Sequence, residues 1–256
     1  MRLKTPLCLL GLLAALAFSL PAAAQDAPAA PKDGAAAPAD GAAPDAVNPD
    51  EKPKVSADAD AVARLALAAQ LAEQGRKTRS PLLLAAAAEL YAVTSVKPSG
   101  NAKTGNEGAQ APAADAGTSP EPVTDATALY AEAAAAARAA SNDPLAETIE
   151  KAAAAKGSRQ PVPGSGGENH DRVNPYDTDF YNVRYRGGEI ARATAIASGD
   201  YDIDLYVYNG DGQLVAYDND STSIGICSWV PSYTRNYSLR VKNTTGSYVY
   251  YYIYTN

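Results

Sequence analysis

The sequence predicts a multidomain α plus β protein, with Ala-rich helical hairpins followed by a C-terminal, jelly-roll-like antiparallel β-sandwich and disordered linkers between them. Three observations predict it. Fourteen of the 16 Tyr lie at or after Tyr176, in a region where apolar and polar residues alternate with the period of half-buried strands. Between residues 57 and 160, apolar residues recur at helical spacing among alanines. The stretches around these regions are Ala, Pro, Gly, Asp and Ser, with almost nothing large to bury.

The chain opens with Met1-Arg2-Leu3-Lys4, continues with an apolar core from Leu7 to Leu20, and reaches the small residues Pro21-Ala22-Ala23-Ala24 before Gln25. These are the parts of a bacterial secretory signal peptide, residues 1–24, and imply a periplasmic or secreted protein. The apolar run is too short for a lasting anchor, so no stable membrane insertion is expected after cleavage. Cys8 lies early in that run without a lipobox, and its loss leaves Cys227 as the sole cysteine. No intramolecular disulfide can then form, and the alternation around Cys227 predicts a small buried thiol. Loss of Arg2 and Lys4 leaves 20 basic against 29 acidic residues, a net charge of −9, which argues against nucleic acid as a partner.

Residues 25–56 read as a disordered Ala/Pro spacer. The helical region, 57–160, begins at Ser56-Ala57-Asp58-Ala59-Asp60, and Val62, Leu65, Ala69 and Ala72 supply its first apolar stripe. Arg76-Lys77-Thr78-Arg79 closes this helix, and Ser80-Pro81 opens the next, through Leu84, Ala87 and Tyr91. A polar, Gly-rich insertion near 98–122 is expected to be a flexible loop. The second pair is expected at 125–140 and from Asp143-Pro144, with Asp143 as the cap. Its basic helix end at Arg138 and capped Pro-Leu start echo those of the first hairpin, as a degenerate repeat would. Small faces allow close packing but leave a thin core. Residues 161–176, with Pro161-Val162-Pro163-Gly164, read as the second linker.

Within 177–256, strands are expected at 179–185, 189–197, 203–208, 213–217, 225–230, 237–242 and 247–254. Asn209-Gly210 fits a tight hairpin turn after Tyr208, and Gly- and Asp-rich turns separate the rest. Seven short strands at such spacing form a sandwich.

Three motifs here carry a resemblance. They are Asp177-Thr178-Asp179-Phe180-Tyr181, the Gly-Asp-x-Asp-x-Asp-Leu-x-Val run from Gly199 to Val207, and Asn236-Tyr237-Ser238-Leu239-Arg240-Val241 before Gly246-Ser247-Tyr248. On these residues 177–256 resemble the bacterial pre-peptidase C-terminal (PPC) domain, a β-sandwich appended to many secreted proteases and related to clostridial collagen-binding domains. Members usually have a longer segment before the Asp-x-Asp-x-Tyr strand, so the first strand here is either missing or supplied from upstream. The collagen-binding relatives hold calcium through an acidic linker and an Asp pair at the first strand. The resemblance therefore implies Ca²⁺, with Glu168, Asn169, Asp171, Asp177 and Asp179 as matching ligands.

The residues themselves offer a second acidic group. Asp200, Asp202 and Asp204 alternate along a strand entry, placing hard oxygen ligands suited to Ca²⁺ on one side, with Asp218, Asn219 and Asp220 in a later turn. Asp and Asn also serve as solvated turn formers, and both readings stand. Tyr206 and Tyr208 face away from Leu205 and Val207, as ligand-binding surface or as cross-strand pairs. The single histidine, His170, sits in the second linker with no nucleophile motif near it, so it reads as a solvated residue. Zinc spacing and phosphate-binding loops are absent from the sequence.

These features predict an exported, non-catalytic binding or adhesion protein that recognises a protein or polysaccharide at the envelope or in the extracellular matrix through its sandwich. One alternative, implied by the family's attachment to proteases, is an accessory or targeting subunit of a secreted enzyme. The other is a hydrolase working through the Asp cluster.

Overall fold

The computed structural model describes residues 51–108, 116–156, 167–199 and 201–256. The expected leader, most of the first spacer, part of the insertion, the start of the second linker and Asp200 lie outside them.

Ser56 has extended backbone, and its hydroxyl accepts from the Ala59 N–H, starting α1 (Ala57–Thr78). Arg79 ends that helix in the left-handed region at φ 52°. Ser80 then caps α2 (Pro81–Ala92), whose first-turn proline has no N–H to leave unsatisfied. The two helices cross where only glycine fits, since a Cβ on Gly75 would lie 2.9 Å from Leu84 Cγ. Asp125 caps α3 (Ala126–Ala139) by accepting from the Thr127 and Ala128 N–H groups. For α4 (Asp143–Lys156) the cap is Asn142, which accepts from the Leu145 N–H; Asp143 is already helical, one residue later than the cap position expected for it. Both basic helix ends bind a neighbouring helix: Arg76 pairs with Glu132 through two contacts of 2.8 Å, and Arg138 with Glu150 at 2.7 Å.

The strands begin upstream of the region that the sequence pattern assigns to them. The insertion after α2 supplies β1 (Lys97–Pro98) and β2 (Lys103–Glu107), and the stretch read as linker supplies β3 (Gly167–Val173). The seven expected strands follow as β4 (Thr178–Tyr185), β5 (Ala191–Ala197), β6 (Ile203–Tyr208), β7 (Leu214–Asp218), β8 (Ile224–Trp229), β9 (Arg235–Asn243) and β10 (Val249–Thr255). They form two five-stranded sheets, ordered β1-β3-β10-β5-β8 and β2-β4-β9-β6-β7. All pairs are antiparallel except β1 with β3. The reason β3 escapes a pattern reading is that Gly-Glu-Asn-His-Asp-Arg-Val has one apolar residue. Its place is set by β10, which pairs with it from Val249↔Val173 to Thr255↔Gly167. Even Lys54, in the stretch read as spacer, is held: its N–H donates to Gly188 O at 2.9 Å, and its carbonyl accepts from Ile190 at 2.8 Å.

Between the sheets lies a core that includes Val173, Val183, Leu205, Leu239, Val241, Tyr251 and Ile253. Cys227 is buried there, its thiol 3.6 Å from Leu205 O. A second apolar cluster joins the helices to the first sheet, because Ile196, Ile224 and Tyr254 pack with Leu65, Leu84, Leu129 and Ile149. The alanine faces are too small to make a helical core alone, and the outer face of this sheet supplies the missing volume. The helical region is thus a layer on the sandwich. Among the described residues, the second sheet contributes nothing to that cluster. No described helix is long and apolar enough to cross a membrane.

Candidate functional site

Two of the five ligands implied by the resemblance meet. Asp171 on β3 and Asp179 on β4 point into the mouth between the two sheets, and Lys103 Nζ lies 2.9 Å from Asp171 Oδ1 and 3.2 Å from Asp179 Oδ2. The Tyr251 hydroxyl donates to Asp179 at 2.8 Å and lies 2.6 Å from the Tyr181 hydroxyl, which is 3.4 Å from Asp171 Oδ2. Only 1 % of Asp179 is exposed, and burial pushes its carboxyl up to about 6, against the pull of Tyr251 and Lys103. A raised folded-state value means that this group's stabilising contribution is full below the ordinary carboxylate range and is lost as pH rises through about 6. Asp179→Asn is therefore expected to flatten the fall in melting temperature between pH 4.5 and 7 by roughly 3 °C. An unchanged pH profile in that variant would contradict this assignment.

The other three stand apart. Asp177 is buried, and its carboxylate accepts from the Asn106 and Asn174 side-chain amides at 2.8 and 3.0 Å and from the Thr178 N–H at 2.8 Å. Asn169 donates to Asn101 O at 2.8 Å. Glu168 lies on the opposite face of β3 from Asp171, beside Tyr254, where burial raises its carboxyl. In the second acidic group, Asp202 accepts from the Thr244 hydroxyl at 2.6 Å, and Asp204 from the Tyr206 hydroxyl at 3.0 Å. Among the described residues, no three His, Cys, Asp or Glu side chains are grouped to hold a metal ion. His170 is exposed, as expected, but it is a strand residue and not a linker residue. Its ring stacks on Tyr252 at 4.5 Å, and its Nε2 lies 2.7 Å from Glu121. The alternation of Glu168, His170 and Arg172 opposite Tyr254, Tyr252 and Tyr250 was the available signal.

The outer face of the second sheet carries the more open chemistry. Tyr206 and Tyr208 do lie on it, but they are only 7 % and 6 % exposed, as the cross-strand pairing of the two alternatives would have them. Neighbours cover them: Tyr206 stacks with Tyr217 at 6.3 Å, and the Arg240 guanidinium lies 4.2 Å from the Tyr208 ring centroid. The same guanidinium is 5.0 Å from the Phe180 ring. Strand register explains the order, because Phe180 pairs with Arg240, Arg240 with Tyr206, and Tyr206 with Tyr217. One row of ring, guanidinium, ring and ring thus crosses four strands, about 15 Å at the ordinary strand spacing. Tyr217, at one end, is 40 % exposed. Phe180, Tyr217 and Arg240 are invisible to a strand-by-strand reading, because the row exists only across strands. Its more exposed members, Phe180, Arg240 and Tyr217, offer apolar area and guanidinium donors on the sheet face.

No family model matches the chain, and no curated protein matches it. Solved structures similar to it include the pre-peptidase C-terminal domain of collagenase from Bacillus anthracis, at 10 % identity over 39 % of this chain and 100 % of that one, with a TM-score of 0.32. The Yersinia pseudotuberculosis-derived mitogen is 8 % identical over 37 % of this chain and 86 % of that one, with a TM-score of 0.30. The periplasmic lysozyme inhibitor PliG of Aeromonas hydrophila is 12 % identical over 36 % of this chain and 84 % of that one, with a TM-score of 0.28.

Proposed function

We propose that this is an exported, non-catalytic binding protein whose PPC-like sandwich holds a protein or polysaccharide of the envelope or extracellular matrix. The observation that carries the reading is an asymmetry: helices share a core with the first sheet, and the outer face of the second is left with the Phe180–Arg240–Tyr206–Tyr217 row. Aromatic rings of few rotatable bonds give contact area at low entropic cost, and an arginine set among them adds directed donors. The described acidic residues at the mouth of the sandwich are engaged with Lys103, Tyr251 and backbone or amide donors, which supports binding over acid–base hydrolysis. An accessory subunit of a secreted enzyme would use the same face, with the enzyme as its ligand.

Co-sedimentation of the mature protein with insoluble cell-wall and matrix polymers tests this. Retention on a polysaccharide or on a matrix protein is the expected result, and each names its ligand class. Turnover of such polymers or of peptides by the purified protein, or absence of retention on all of them, would contradict it.

A further inference from the structure

The calcium that the PPC resemblance implies does not fit the residues that would hold it, and one observation shows why. A Ca²⁺ ion needs six to eight oxygens at about 2.3–2.6 Å. Between Asp171 and Asp179 stands the Lys103 ammonium, at 2.9 and 3.2 Å, with Arg172 O at 3.5 Å as a third neighbour. An ammonium has three donors, and here each has an oxygen to face. Asp177, the remaining inward carboxylate, is turned aside onto the Asn106 and Asn174 amides, and Glu168 is on the other face of β3.

Lys103 reaches this position through an irregularity in β2. The regular register, set by Gly105↔Phe180, would put residue 103 opposite Asn182, on the outer face. The register shifts between Lys103 and Gly105, and Lys103 pairs instead with Tyr181, whose side chain is in the core. A bulge re-aims a side chain in this way. Around it the same segment is fixed to both sheets: Ser99 N–H donates to Glu168 O at 2.7 Å, and the Thr104 hydroxyl to Phe180 O at 3.2 Å.

We infer that the Lys103 ammonium, at the partly open mouth of the sandwich, takes the place of a divalent ion, pinning β3 of one sheet to β4 of the other, so that the sandwich closes without metal. The inserted segment between α2 and α3 is then part of the sandwich, and its bulge exists to deliver the ammonium.

Thermal melting of the full chain tests the inference. The wild-type melting temperature is expected to be the same, within 1 °C, in millimolar CaCl₂ and in EDTA. Lys103→Met leaves the buried Asp179 carboxylate with the Tyr251 hydroxyl but no cation, and is expected to lower it by roughly 5 °C or more, with Lys103→Arg recovering part of the loss. In a double-mutant cycle with Asp179→Asn the two effects should be non-additive, Lys103→Met costing less once the carboxylate is gone. Calcium raising the wild-type melting temperature by several degrees would overturn the inference. So would a Lys103→Met loss no greater than that of Lys151→Met on the exposed face of α4, or strict additivity with Asp179→Asn.

Discussion

A chain shortened to residues 167–256 is expected to lose cooperative folding, although it contains every strand that the sequence pattern identifies and β3 as well. Removing the helices uncovers Ile196, Ile224 and Tyr254, all of which are buried against them. At about 1.5–3 kcal/mol for each large apolar side chain, this costs roughly 5 kcal/mol or more. The stability of a whole domain is only about 5–15 kcal/mol. The truncation also removes β1 and β2, leaving β3 and β4 as bare edges, and takes away Lys103 from the two carboxylates it joins. Near-ultraviolet circular dichroism, which reads the packed tyrosines, should show no sigmoidal melt for this fragment and a clear one for the full chain. A cooperative melt of the fragment at a similar temperature would mean that the helices are an appendage after all.

Gly225→Val is expected to be among the most damaging single substitutions. Gly225 lies on β8 in the first sheet and faces Leu205 on β6 in the second, where an added Cβ would stand 2.7 Å from Leu205 Cβ and 3.3 Å from its backbone nitrogen. Its partner in the sheet is Ala195, followed by Cys227 opposite Ala193, so this corner of the sandwich is made of small residues that let the sheets approach. The contact is with a Cβ and backbone, which cannot swing aside as a flexible side-chain end can. A valine would push the sheets apart at the core, at a cost of about 3 kcal/mol. Chemical denaturation should show this as a lower midpoint with an unchanged slope. A midpoint within error of wild type would mean that the sheets part more easily than their packing implies.

What the sequence reveals here depends on where each element gets its stability. Strands β4, β5, β6 and β9 announce themselves because each carries its own apolar row, such as Tyr237, Leu239 and Val241. The capped starts at Ser56, Ser80 and Asp125 are equally local, since the side chain and the N–H it accepts lie within three residues. Strands β2 and β3 carry almost no apolar residue, and their order is lent by β4 and β10. The site divides in the same way. Asp171 and Asp179 are visible as acidic residues, but Lys103 comes from 76 positions before Asp179, and the bulge that aims it leaves no pattern in the sequence. Tyr206 and Tyr208 are placed on the right face by alternation. Their burial depends on Tyr217 and Arg240 from neighbouring strands, which alternation does not reach.

The proposal that the second sheet binds the ligand is tested most directly by comparing two variants in one assay, co-sedimentation with the polymer that retains the wild-type protein. Phe180→Ser with Tyr217→Ser removes both ends of the aromatic row, and Tyr250→Ser alters an aromatic residue on the outer face of the first sheet. Losing two ring contacts of about 0.5–1.5 kcal/mol each should weaken binding roughly tenfold or more, while Tyr250→Ser should bind like wild type. Wild-type binding by the double variant, with its melt intact, would contradict the account, most of all if Tyr250→Ser were the one that failed to bind.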